Sequence, residues 1–103
     1  MTTKLLPPIH HGEILREEFM LLLKLFSNAL ARAIGVAPAR VNDIANEKRG
    51  ITADTALRLG RYLGTTAVVW INLQKRFYLE AARRDLGDKL DRIQPRAARL
   101  LFA

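Results

Sequence analysis

The stretch SNALARAIGVAPARVNDIANEKR, residues 27–49, decides how this chain is read. It reads as a short helix, a glycine turn, a second short helix and a polar, basic loop. The first helix covers about residues 28–34, and Ser27 is placed to cap it through its hydroxyl. Gly35 ends it, because glycine takes left-handed backbone cheaply. The second covers about residues 38–46, with Pro38 at a first helical position, where no N–H partner is needed.

Two helices crossing steeply through a tight turn make stringent demands on residue type. A small residue must stand where the first helix faces the second, and Ala31 stands there. The turn needs glycine, supplied by Gly35, and an apolar plug after it, supplied by Val36. The second helix needs inward apolar residues three apart, supplied by Val41 and Ile44. All are met in register, which is the signature of a helix-turn-helix.

Working outward, apolar residues recur at helical spacing on both sides. A helix over about residues 12–23 would bury Ile14, Leu15, Phe19 and Leu22 or Leu23. Another, capped by Thr52 and ended by Gly64, would bury Ala56, Leu57, Gly60 and Leu63, with Gly60 allowing close packing. The longest runs from the cap Thr66 to about residue 86, before Gly87. It carries two apolar stripes: Trp70, Leu73, Phe77 and Ala81, and then Ile71, Tyr78, Ala82 and Leu86. A helix with two such stripes needs partners on more than one side. The expected fold class is all-α, a single five-helix domain of the lambda-repressor-like type. Its core would lie over about residues 12–64, its long helix over 66–86 and a tail over 87–103, whose Leu100-Leu101-Phe102 end is frayed or docked.

Composition narrows the function. The 103 residues carry 17 Lys+Arg against 10 Asp+Glu, a net charge of +7 that favours nucleic acid or an acidic partner. The absence of cysteine excludes disulfide scaffolds and thiolate metal sites. His10, His11 and Glu13 are adjacent without a second ligand cluster, so they read as an N-terminal turn rather than a metal site, and no cofactor is expected. No HExxH, glycine-rich phosphate loop or triad is present, so an enzyme is not expected. No apolar run reaches the roughly 18 residues that span a bilayer, and the N-terminus lacks a secretory pattern; a cytoplasmic protein is expected.

Residues 28–74, NALARAIGVAPARVNDIANEKRGITADTALRLGRYLGTTAVVWINLQ, resemble the HigA branch of the XRE/Cro-like helix-turn-helix proteins. HHGEILREEF, residues 10–19, resembles that branch's start, and LEAARRDLGDKLDRIQPRAA, residues 79–98, its end. The phrase RGITADTALRLGRYLGTT, residues 49–66, is the most branch-specific part. The chain departs from the branch at Lys24 and Glu47, where glycine is usual. Phe26 and Ser27 stand where serine and glutamine are usual, and Val68 and Val69 replace a more polar pair.

The resemblance implies a DNA-binding antitoxin that represses its own operon and neutralises a HigB-type, RelE-like ribonuclease toxin. It implies a recognition helix at residues 38–46, its N-terminal end in the major groove. Ala39 and Asp43 would face base edges, flanked by Pro38, Arg40 and Asn42. Ser27, Asn28, Asn46, Lys48 and Arg49 would meet phosphates, which fix register rather than sequence. A homodimer joined through Ile71, Tyr78, Ala82 and Leu86 would read an inverted-repeat operator in double-stranded DNA. The rival readings are a stand-alone repressor with no toxin partner and a protein-interaction module that has lost DNA binding.

Overall fold

A computed structural model describes residues 7–96, and every regular element among them is helical. The first helical segment starts as α1 (His11–Ile14), widens into a π-helical stretch at Leu15–Met20 and closes as α2 (Leu21–Leu23). Next come α3 (Ser27–Ile34), α4 (Pro38–Ala45), α5 (Ala53–Leu63), α6 (Ala67–Leu86) and the short α7 (Asp88–Asp91). The fold is all-α, as the periodicity predicts. The tail end Leu100-Leu101-Phe102 lies outside the described residues.

The caps explain most boundaries. Thr52 accepts from the Thr55 N–H at 3.2 Å to start α5, and Thr66 accepts from the Val69 N–H at 3.2 Å to start α6. Gly35 turns α3 into α4 at φ +77°, a left-handed value open to glycine without steric cost. Ser27, expected as a cap, is instead the first residue of α3. The helix is already closed by the Leu30 N–H on the Phe26 carbonyl at 3.0 Å, so Phe26 takes the cap position.

The core gathers Leu15 and Met20 with Leu30, Ala31 and Ile34 of α3 and Val41, Ile44 and Ala45 of α4. Ile51, Ala56, Leu59 and Trp70 complete it. The indole N–H of Trp70 is satisfied by the Thr65 hydroxyl at 2.8 Å. α5 packs along α6, and Gly60 lets them meet: a Cβ there would stand 2.8 Å from the Thr66 carbonyl carbon.

Two expected faces are corrected. Leu22 and Leu23 are exposed, and Met20 is buried in their place. A π turn spends one residue more than an α turn, so Met20, five residues after Leu15, takes the inward place that α spacing would give Phe19, which is left partly buried. Leu57 is also exposed; α5 instead buries Thr55, Ala56, Leu59 and Gly60. Successive helical residues are about 100° apart, which carries Leu57 off the face that Ala56 shares with Leu59 and Gly60.

Candidate nucleic-acid interface

The outer surface of α4 joins the start of α3 to the loop after α4. Pro38 and Ala39 lie exposed at the N-terminal end of α4, and Asn28 is exposed on α3. The Ser27 hydroxyl approaches the Asn42 side-chain oxygen at 3.5 Å, bringing α3 and α4 together. At the other end Asp43 meets the Arg49 guanidinium at 3.3 Å, and its carbonyl accepts from the Lys48 N–H at 2.8 Å. Asn46 caps α4, and the Asn46, Lys48 and Arg49 side chains are exposed. The phosphate and base-edge candidates thus form one run of surface.

Two of the base-edge candidates are engaged within the protein. Asp43 is held by Arg49, which offsets its charge. Arg40 is half-buried, and its guanidinium donates to the Thr55 hydroxyl at 3.4 Å. Thr55 is buried and also accepts from the Thr52 hydroxyl at 3.2 Å, so α5 steadies the recognition helix through Arg40.

Both positions where the resemblance leads one to expect glycine have left-handed backbone: Lys24 at φ +57° and Glu47 at φ +63°. Side-chain residues there are strained, at a cost of about 1–2 kcal/mol each. Glu47 is offset by Arg16, which lies 3.5 Å from its carboxylate and also donates to the Ala45 carbonyl at the end of α4. The added negative charge is therefore paired within the protein. A hydrogen bond to Glu17 at 3.1 Å holds the Arg16 guanidinium above its ordinary pKa, with Glu47 adding to the effect.

His10 and His11 are both buried and stacked at 3.8 Å. His10 caps α1, its Nδ1 accepting from the Gly12 N–H at 2.8 Å. Among the described residues, no three His, Cys, Asp or Glu side chains gather as metal ligands. His11 packs edge-on against Phe77 and Tyr78 of α6. Burial pushes its pKa down to about 4; the neighbouring His10 lowers it further, while the Arg49 carbonyl and Glu47 oppose the shift.

In the second stripe of α6, Ile71 is half-buried against the core, whereas Tyr78, Ala82 and Leu86 are exposed. Arg16, Thr55 and Gln74 escaped the sequence reading. Each acts across the fold on residues 15 to 31 positions away, and no local pattern marks such a pair. No helix of the described residues is long and apolar enough to cross a membrane.

Residues 15–70 match the family model described as Helix-turn-helix. The chain is 52% identical over 80 residues to Virulence-associated protein I of Dichelobacter nodosus, covering 78% of this chain and 74% of that protein. It is 34% identical over 90 residues to Antitoxin HigA-1 of Vibrio cholerae, covering 87% and 78%. Among solved structures, Pseudomonas aeruginosa antitoxin HigA with the higBA promoter superposes with a TM-score of 0.81 at 48% identity, covering 85% of this chain and 97% of that one. Antitoxin GraA in complex with its operator superposes with a TM-score of 0.83 at 44% identity, covering 95% and 100%. With α3 packed on α4 across the Gly35 turn and with these relatives, the chain belongs to the XRE-type helix-turn-helix family, in its HigA antitoxin branch.

Proposed function

We propose that this protein is a DNA-binding antitoxin that occupies an inverted repeat in its own promoter and excludes polymerase. The carrying observation is its likeness to a HigA bound to its own promoter, together with the exposed N-terminal end of α4. Pro38, Ala39, Asn42 and Asp43 would face base edges, and the Arg40 guanidinium would pair with a guanine or a phosphate. Ser27, Asn28, Asn46, Lys48 and Arg49 would hold phosphates and set the register.

One recognition helix spans too few base pairs for useful selectivity, so two copies related by a two-fold axis would read half-sites about one helical turn apart. Tyr78, Ala82 and Leu86 would form most of the dimer contact, with Ile71 at its inner edge. The same protein would bind and neutralise a HigB-type, RelE-like ribonuclease toxin encoded beside it, in the cytoplasm. That step rests on kinship with antitoxins, because no single residue here reports it.

The test is a gel shift on the DNA upstream of the gene. Protection of an inverted repeat is expected, with Arg40→Ala costing about 1–3 kcal/mol and relaxing selectivity at one position. Equal binding to unrelated DNA of the same length would end the operator reading. Survival of cells expressing the neighbouring toxin only when this protein is supplied would support the antitoxin step. If no neighbouring frame is toxic, the stand-alone repressor reading takes its place.

A further inference from the structure

The loop between α4 and α5 carries Lys48 and Arg49, two phosphate candidates, with both side chains exposed. Within the loop, the Lys48 N–H and the Arg49 guanidinium are both tied to Asp43. The far end of the loop is fastened from outside. Gln74, half-buried on α6, takes both backbone groups of Ile51. Its Oε1 accepts from the Ile51 N–H at 2.5 Å, and its Nε2 donates to the Ile51 carbonyl at 2.9 Å. One side-chain amide thus serves Ile51 as a neighbouring strand's backbone would. The seat is close: a Cβ on Gly50 would stand 2.8 Å from the Gln74 Oε1 and 3.5 Å from the Tyr78 hydroxyl. The Ile51 side chain is buried in the core, which fixes the third direction.

Residues 71, 74 and 78 are three and four apart, so they share one face of α6. The face that fastens the loop therefore also carries Ile71 and Tyr78. We propose that Gln74 is a positioning residue for DNA binding: by clasping Ile51 it sets where Lys48 and Arg49 stand, and ties that place to α6. This rests on the DNA-binding reading above. A loop already ordered loses less entropy when it meets phosphate than a free one. Whatever shifts α6, whether a second copy or another protein, would move these two cations with it.

The experiment compares wild type with Gln74→Met, which keeps the side-chain volume and removes both hydrogen bonds. Operator affinity is titrated against salt for each, beside a melting curve. Gln74→Met should lose about tenfold in affinity, the scale of two net hydrogen bonds. Its salt slope should fall by one to two units, roughly one per phosphate contact released. A purely structural role would lower the melting temperature and leave the slope unchanged, and that result would overturn the proposal. Wild type that binds no operator at all would instead overturn the DNA-binding reading on which the proposal stands. Should Gln74→Met not fold, Gln74→Asn, whose amide is one methylene shorter and falls short of Ile51, is titrated in its place. An unchanged salt slope overturns the proposal in the same way. Amide exchange in wild type tests the clasp itself: an Ile51 N–H protected like the core supports it. An Ile51 N–H exchanging as fast as exposed loop amides refutes it.

Discussion

The two halves of α6 share one helix and differ in what surrounds them. In the first half Trp70 is fully buried, and Ala67, Ile71 and Leu73 pack against the same core. In the second half Phe77 and Ala81 are half-covered, while Tyr78, Leu79 and Leu86 stand 48%, 58% and 42% exposed. Locally the second half is well made: Glu80 and Arg84 pair at 3.1 Å one turn apart, and Arg83 and Arg84 suit the negative end of the helix dipole. Such pairs add only about 0.2–0.5 kcal/mol, and a ten-residue helix alone is marginal in water. Local features keep this half helical, and burial anchors it only at its start, where Phe77 packs on the buried His10 and His11. That asymmetry is what makes the second half the place proposed for the dimer contact.

The sharpest way to break the comparison is at Trp70. Trp70→Ala should cost about 3–5 kcal/mol in urea unfolding, through lost burial and the cavity left behind. A loss below about 1 kcal/mol would mean that the first half is not part of the core.

The junction of the halves is tested by pH, because His11 packs on Phe77 and Tyr78 there. Its folded pKa of about 4 lies below the unfolded 6.5, so the unfolded chain binds the proton more readily. Stability is complete above about pH 6.5 and declines as pH falls toward 4, by about 3 kcal/mol. His11→Phe should flatten that part of the profile relative to wild type. Equal slopes for the two proteins would show that the buried ring does not couple the segments.

The smallest effect on the fold belongs to the second half. Leu86→Glu, remote from the Gln74 clasp, should change monomer stability by less than about 0.5 kcal/mol and leave helicity intact. Light scattering should nonetheless show a shift from dimer to monomer, and Tyr78→Glu should do the same. A dimer indifferent to both variants would place the contact elsewhere and reduce the contrast to one of exposure alone.

The helix-turn-helix was legible because its requirements are local. Ala31, Gly35, Val36, Val41 and Ile44 sit within 14 residues of one another, and each answers a nearby steric demand. The caps Thr52 and Thr66 were legible for the same reason, since a cap acts on an N–H three residues on. Leu22, Leu23 and Leu57 were misplaced because their faces depend on helix phase. Ahead of Leu22 and Leu23 a π-helical stretch resets that phase, and it announces itself with neither proline nor glycine; in the regular α5 Leu57 simply stands about 100° from Ala56.

By itself the sequence determined the helical elements, the turn at Gly35, the outward set on α4 and the two stripes of α6, because spacing and capping act over a turn or two of chain. Only the tertiary structure decided that Arg40 leans on Thr55 and that Asp43 is answered by Arg49. It alone revealed that Arg16 offsets a left-handed Glu47 and that Gln74 holds Ile51. Most of these links join residues 12 or more apart in sequence, and Asp43 and Arg49 meet across the loop after α4. Their geometry exists only once the core has brought the helices together, so no window of sequence contains it.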